Sequence, residues 1–345
     1  MIARVGVVGA GLMGSEIAQV VAAADLEVVL LDTDPAALER GVAHVRSIGE
    51  RRVARGRMTA AEVEAMLGRV SATRDDADLG ACDLAIEAVP EILDVKRAVF
   101  RRLDDVLPPA ALLASNTSGL SISELARETS RPELVLGLHF FNPASVMRLV
   151  EVIQGETTSE AAVAAGEEFA RAVGKTPVRV RECPGFLVNR VLVRAMAEAY
   201  REQARVGGER AAADRAVVDG GPAPMGPFAL GDLVGLDTLA HVRGDLIAAY
   251  GDRFDDAGQI AAQVTAGRLG TKSGAGFYEG AAPEADADDA GRAVAGAYYD
   301  GAVDEAERCR AEGIAAEADI DVAMRLGCGW SMGPLAWARS KPDPA

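Results

Sequence analysis

The stretch Val5-Gly6-Val7-Val8-Gly9-Ala10-Gly11-Leu12-Met13-Gly14 decides how the first half of the chain is read. An apolar β-rich run enters a GxGxxG turn, and an apolar helical pattern follows over residues 12–24. In that setting the first glycine makes the tight turn and the second admits a pyrophosphate, while the third lets helix and strand pack closely. Gly9, Gly11, Leu12, Met13 and Gly14 then form the turn where helix N–H groups and the positive dipole end meet phosphate. The next run, Glu27–Leu31, stops at Asp32. A carboxylate there can accept both ribose hydroxyls of NAD and would repel the 2′-phosphate of NADP. A purely structural glycine turn is the alternative.

Outward from this turn, strand-like runs occupy residues 2–8, 27–31, 84–88, 112–115, 135–139, 149–153 and 178–180. Helical patterns lie between them, including residues 12–24, 36–54 and 93–106. That alternation predicts parallel βαβ units with helices on both faces, an α/β Rossmann-type doubly wound sheet. Thr59 with Glu62 and Ser121 with Glu124 have the spacing of capping boxes. After Pro184-Gly185 the pattern becomes helical without a convincing strand, so an all-α domain is expected there. Residues 280–291, GAAPEADADDAG, have the composition of a linker.

Beyond the linker a shift of 107 residues lays Asp214 on Asp321, Gly220 on Gly327 and Met225-Gly226-Pro227 on Met332-Gly333-Pro334. Glu198-Ala199 likewise falls on Glu305-Ala306. Residues 281–345 therefore read as a linker plus a truncated repeat of the helical domain, residues 184–280, which follows the sheet domain, residues 1–183.

The chain has 345 residues, enough for about two domains. Its formal charge of −16 argues against nonspecific nucleic-acid or anionic-membrane binding. No apolar run is long enough to span a bilayer, and the N-terminus lacks a signal-peptide pattern, so a cytoplasmic protein is expected. Cys82, Cys183, Cys309 and Cys328 form no CxxC unit, and only His44, His139 and His241 accompany them. Four reduced thiols and no metal site are the expectation.

His139 follows the apolar run LVLGL at the mouth of a strand, and Glu151 lies inside the apolar run LVEVI. An acid buried in such a run is costly unless paired, and His139 is an available partner. A carboxylate-held imidazole is the general base that oxidation of an alcohol by NAD requires, although a satisfied core histidine would look the same. His44 and His241 fall in amphipathic helical patterns and read as bystanders.

SNTSG (115–119), HFFNP (139–143) and LVEVI (149–153) resemble signature blocks of the 3-hydroxyacyl-CoA dehydrogenases. PGFLVNR (184–190), PMGPFAL (224–230), GLD (235–237) and GRLGTKSGAGFY (267–278) follow in that family's order. The resemblance implies that His139 takes the proton of a 3-hydroxyl and that Glu151 supports its imidazolium. It implies that Ser118 and Asn189 hold the reacting oxygen, and that Glu91, Lys96, Ser118 and Asn142 contact NAD. The implied reaction is reversible oxidation of an (S)-3-hydroxyacyl-CoA, of short chain, to the 3-oxoacyl thioester. The implied assembly is a homodimer through the helical domain. Arg51, Arg52, Arg55 and Arg57 fall where the family's helical hairpin meets the CoA nucleotide, and a solvated basic face is the alternative.

Departures from the pattern are VGGERAAADRAV after the long helix, and Gly296 in the repeat where the first copy has Asn189. A β-hydroxyacid dehydrogenase would need a lysine in the interdomain helix, and none occurs between Lys175 and Lys272. Two further alternatives are the same chemistry on an acyl-carrier-protein-bound group, and an NAD-binding relative without catalysis.

Overall fold

The computed structural model describes residues 2–341; Met1 and residues 342–345, which the outermost expected segments include, lie outside the described residues. The chain divides into two compact units, Met1–Glu182 and Cys183–Ala345.

The first unit is an eight-stranded sheet with helices. Its strands are β1 (Arg4–Val8), β2 (Glu27–Leu31), β3 (Val70–Thr73), β4 (Leu84–Glu87), β5 (Leu112–Ser115), β6 (Val135–Phe140), β7 (Leu149–Gln154) and β8 (Thr176–Arg181). Its helices are α1 (Leu12–Ala22), α2 (Pro35–Ala54), α3 (Ala60–Gly68), α4 (Leu93–Val106), α5 (Ile122–Ala126) and α6 (Glu160–Ala172). The sheet order, β3-β2-β1-β4-β5-β6-β7-β8, reverses direction between β1 and β4. That reversal opens a crevice at the carboxyl ends of the strands, where ligands bind in such sheets. Val5, Val7, Leu30, Ile86, Leu138, Val150 and Phe169 are among the side chains that fill its core.

The structure departs from the sequence reading in three places. β3 is an additional edge strand, paired in parallel with β2; its residues Val-Ser-Ala-Thr are half-buried or exposed, so no apolar run marks it. β7 runs antiparallel to β6, because residues 141–148 form a short connection without the helix that a parallel crossover needs. Of the two capping boxes, Thr59 and Glu62 satisfy each other reciprocally. Ser121 accepts the Glu124 N–H, but the Glu124 carboxylate turns to Arg97 at 2.7 Å.

The second unit contains α7 (Val188–Val206), α8 (Arg210–Gly220), α9 (Pro227–Val234), α10 (Leu236–Tyr250), α11 (Gln259–Thr265), α12 (Asp289–Ala311), α13 (Glu317–Cys328) and α14 (Pro334–Ser340). Among the described residues its only β pairing is a pair of isolated bridges at Gly270, Ala275 and Glu279. The 107-residue offset places α13 on α8 and α14 on α9. The two copies share one device. The Asp214 carboxylate accepts the N–H groups of Phe228 and Ala229, each at 2.9 Å, at the start of α9. The Asp321 carboxylate accepts those of Leu335 (2.9 Å) and Ala336 (3.0 Å) at the start of α14. Each carboxylate thereby satisfies free donors of a helix N-terminus.

α12 lies against α7 and α8 with little side chain at its closest approaches: a Cβ on Gly301 would meet Glu198 Cγ at 2.8 Å, and one on Gly291 would meet Ala212 O at 2.6 Å. Within this packing Arg190 is fully buried and donates to Glu305 at 2.7 Å and to both Glu312 oxygens at 2.8 Å. Its guanidinium also stacks on Tyr250, 4.3 Å from the ring centre. Glu305, also fully buried, accepts from Arg253 at 3.0 and 3.1 Å. Removing one partner of a buried pair strands the other, so Arg190→Ala should lower unfolding stability in urea by about 3 kcal/mol. A loss below about 1 kcal/mol would show that Arg253 alone compensates Glu305.

Candidate active site

The glycine turn sits at the carboxyl end of β1. Gly9 has φ +104°, which only glycine adopts readily, and a Cβ there would meet Ala88 O at 2.7 Å. A Cβ on Gly14 would fall 1.8 Å from Gly9 O, so α1 can begin this close to β1 only with glycine there. Gly11, the N-cap of α1, has no side chain to occupy the first helix N–H groups, and nothing lies within 4 Å of where its Cβ would be. The residues thus fit a pyrophosphate: exposed helix donors face an open space. Asp32 ends β2 and is tied into the same turn, accepting the Ala10 N–H at 2.8 Å and the Asp34 N–H at 3.0 Å. Each carboxylate oxygen has a second lone-pair site, which suits a ribose diol.

At the neighbouring strand ends a buried polar network gathers. Lys96, 1% exposed on α4, donates to Glu87 at 2.7 Å and to Val89 O at 3.2 Å, and pairs with Glu91 at 3.1 Å. Glu87, fully buried, also accepts from Ser115 Oγ at 2.6 Å and from the Val89 N–H at 2.7 Å. Glu91 in turn accepts from Thr117 Oγ1 at 2.5 Å and from the Ser118 N–H at 2.9 Å. Burial pushes the Glu91 carboxyl up, but the Lys96 ammonium and the bonds from Thr117 and Ser118 outweigh it and hold it below its ordinary range. Lys96 therefore spends its three hydrogens inside this network. Ser118 is exposed at its rim.

His139 and Glu151 face each other directly across the antiparallel β6–β7 pair. His139 Nδ1 lies 2.7 Å from Glu151 Oε2, the imidazole 6% exposed and the carboxylate fully buried. The Phe141 ring packs at 4.5 Å from the imidazole. The Phe140 N–H donates to Asn116 Oδ1 at 2.8 Å, which binds the SNTSG segment to the strand that carries His139. Asn142 is exposed on the loop that follows. The structure thus brings the glycine turn, Asp32, Glu91, Lys96, Ser118, Asn142, His139 and Glu151 to the carboxyl edge of one sheet. Asn189 is the second residue of α7 in the other unit.

Arg51, Arg52, Arg55 and Arg57 lie at the end of α2 and just beyond it. Among the described residues none of the four pairs with a carboxylate; Arg51 donates to Ser47 Oγ at 3.1 Å. No three His, Cys, Asp or Glu side chains cluster as a metal site among the described residues, and no described helix is long and apolar enough to cross a membrane. Sequence reasoning missed Glu87, Ser115 and Thr117. The available signal for Glu87 was an acid closing an apolar strand, with Lys96 on the next helix to neutralise it.

A sheet with this reversal, a glycine turn and an acidic residue ending its second strand binds a nicotinamide dinucleotide, and the histidine–glutamate pair beside it suits an oxidoreductase. The family model described as 3-hydroxyacyl-CoA dehydrogenase, NAD binding domain, matches residues 4–183. That for the C-terminal domain matches residues 185–280 and again 299–340. The chain belongs to the 3-hydroxyacyl-CoA dehydrogenase family and is an NAD-dependent oxidoreductase.

A 3-hydroxybutyryl-CoA dehydrogenase of Mycobacterium tuberculosis is 43% identical over 280 residues, 80% of this chain and 98% of that protein. A probable 3-hydroxybutyryl-CoA dehydrogenase of Bacillus subtilis is 39% identical over 279 residues, 81% of this chain and 97% of that protein. The crystal structure of 3-hydroxybutyryl-CoA dehydrogenase from Escherichia coli K12 superposes with a TM-score of 0.92 at 32% identity, covering 98% of this chain and 91% of that one.

Lys96→Met would leave Glu87 buried without its counter-charge, an expected loss of about 3–5 kcal/mol in urea unfolding of the first unit. The sign for Glu91 follows from its depressed value: its contribution is complete above the ordinary 4.5 and lost as pH falls through the lower folded value. Without Lys96 the folded value of Glu91 moves back up, so the part of the acid-induced stability loss that Glu91 carries should shrink, which urea unfolding at a series of pH values would follow. An unchanged acid limb would show that Thr117 and Ser118 alone set it.

Proposed function

We propose that this chain oxidises a short (S)-3-hydroxyacyl-CoA to the 3-oxoacyl-CoA, reversibly, with His139 as general base. The observation that carries the reading is the 2.7 Å contact between His139 Nδ1 and the buried Glu151 carboxylate at the carboxyl end of β6. With Nδ1 held there, Nε2 is the atom that takes the proton from the 3-hydroxyl, and the negative Glu151 stabilises the imidazolium that forms. NAD, when bound, accepts the hydride from C3. The balance is one hydride to the cofactor and one proton to His139, leaving the C3 carbonyl.

Ser118 and Asn189 hydrogen-bond the reacting oxygen in this reading, and Glu91 and Asn142 contact the cofactor. Lys96, its hydrogens spent on Glu87, Val89 and Glu91, serves the cofactor by holding Glu91 in place. Arg51, Arg52, Arg55 and Arg57 offer the CoA phosphates four guanidiniums without carboxylate partners among the described residues. The short acyl chain is supported by the relatives that act on 3-hydroxybutyryl-CoA. The homodimer implied by the resemblance and the cytoplasmic setting expected from the sequence belong to the same reading.

The test is NADH oxidation by the purified chain with acetoacetyl-CoA, with NADPH alongside. Rapid loss of NADH and slow loss of NADPH are expected, and no turnover despite NADH binding would overturn the substrate. His139→Gln should lower kcat by about 10²–10⁴ while leaving NADH binding unchanged. Undiminished turnover in that variant would remove the base from His139.

A further inference from the structure

The loop of residues 141–148 leaves β6 just after His139 and carries Asn142. Two charged side chains that the proposed reaction does not use hold it. Glu16, on α1 and only 5% exposed, accepts the Ser145 N–H at 3.1 Å, with Ser145 Oγ at 3.4 Å. Lys175, the residue before β8, donates to Ala144 O at 2.5 Å and Met147 O at 2.8 Å. Between these holds Ala144 is 1% exposed and packs into the sheet's core, and the N–H groups of Val146 and Met147 both reach Pro143 O at 2.9 Å.

An exposed loop ordinarily satisfies its backbone with water. Here a carboxylate and an ammonium are taken largely out of water to do it, and charge-assisted bonds of this kind are the stronger ones. Glu16 is also placed unusually: it stands two residues after Gly14, on the helix whose first turn faces the open space at Gly11. Glu16 thus joins that helix to the loop directly.

We propose that Glu16 and Lys175 are positioning residues that lock the Asn142 loop, Glu16 tying it to the cofactor helix and Lys175 tying it to the start of β8, so that affinity for NADH depends on both. The proposal rests on the reading of Asn142 as a cofactor contact. The charged neighbours of the lock are Arg52, on α2, and His44, on the same helix, whose Nε2 lies 3.5 Å from Glu16 Oε1. Burial first, and the Arg52 charge second, lower the Lys175 ammonium to about 8 against an upward pull from Glu16. Above that pH Lys175 becomes a neutral and weaker donor, so NADH affinity should decline there.

The test uses the full chain without acyl substrate. NADH dissociation constants are read from NADH fluorescence for the wild type, Glu16→Ala, Glu16→Gln, Lys175→Met and Lys175→Arg. KM and kcat with acetoacetyl-CoA, and Tm, are then taken on the same preparations. Glu16→Ala and Lys175→Met each remove two contacts to the loop and should weaken NADH binding about tenfold or more, with the KM for acetoacetyl-CoA unchanged. Glu16→Gln, which still accepts the Ser145 N–H, and Lys175→Arg should keep most of the affinity. Lys175→Arg should also abolish the alkaline decline.

Unchanged NADH binding in Glu16→Ala and Lys175→Met would overturn the lock. So would an equal rise in the NADH dissociation constant and the KM for acetoacetyl-CoA, with a lower Tm and no rescue by the conservative variants, which marks a purely structural role. If the truncating variants do not fold, an alkaline decline identical in wild type and Lys175→Arg overturns it. A wild type that binds NADH without reducing acetoacetyl-CoA would sink the proposed function, while the NADH comparison would still decide the lock.

Discussion

Where α1 begins, two backbones meet with no room for a side chain: a Cβ on Gly14 would lie 1.8 Å from the Gly9 carbonyl oxygen. Gly9 itself has its Cβ position 2.7 Å from the carbonyl of Ala88, the residue after β4. Three elements, β1, α1 and the end of β4, are thus brought together by the absence of atoms. The consequences spread from there. The first turn of α1 opens directly over the carboxyl edge of the sheet, at the point where strand order reverses. Asp32 is drawn in by the Ala10 N–H, so the group suited to a ribose and the turn suited to a pyrophosphate are one piece. Glu16, a half-turn beyond Gly14, is brought close enough to α2 and the loop after β6 to meet His44 and Ser145.

Buried charge is the second organising influence, and it does not act chiefly by adding stability. Taking Glu87, Lys96, Arg190 and Glu305 out of water costs several kcal/mol per ion, which the mutual attraction roughly offsets. What such groups do is restrict the alternatives. Glu87 holds the end of β4 to Ser115 at the end of β5 and to Lys96 on α4. Those two constraints fix where the segment bearing Glu91 and the segment bearing Ser118 emerge. Arg190 does the equivalent in the helical unit, where Glu305 of α12 and Glu312 just after that helix are the groups that can satisfy its fork.

These two influences differ in how far the sequence reveals them. The glycine turn and Asp32 are visible because local spacing encodes them, and the same holds for the strands whose residues are uniformly apolar. Glu151 was visible because an acid within LVEVI conflicts with its neighbours and demands a partner, and His139 was within reach. β3 was invisible because an edge strand of Val-Ser-Ala-Thr buries too little to need an apolar run. The antiparallel turn of β7 was written in the lack of helix between residues 141 and 148, a signal of connection length that composition does not carry. Glu16 and Lys175 were unreadable for a different reason. They lie far apart in sequence from each other and from Ser145, and each falls where a polar residue would pass as solvent-exposed.

The helical repeat separates packing from chemistry. Both copies keep an aspartate that takes two N–H groups of a following helix, and in both a glycine makes room for it. A Cβ on Gly226 would meet Asp214 Cα at 2.2 Å, and one on Gly333 would meet Asp321 Cα at 2.3 Å. Tyr278 adds its hydroxyl to Asp214 at 2.8 Å, whereas Asp321 has Arg339 nearby at 3.6 Å. Burial, opposed by those hydrogen bonds, raises Asp214 to about 6. The less buried Asp321 is also raised, by burial against the same kind of bonds. Gly296 occupies the position of Asn189, so the copy reproduces the helix-anchoring device without the amide that the proposed chemistry uses. Its α12 instead presents Tyr299, which donates to Val217 O at 2.7 Å and accepts the Ala223 N–H at 3.2 Å. What the repeat keeps is therefore packing: its α12 lies against α7 and α8, and the amide is the part of the first copy that it lacks.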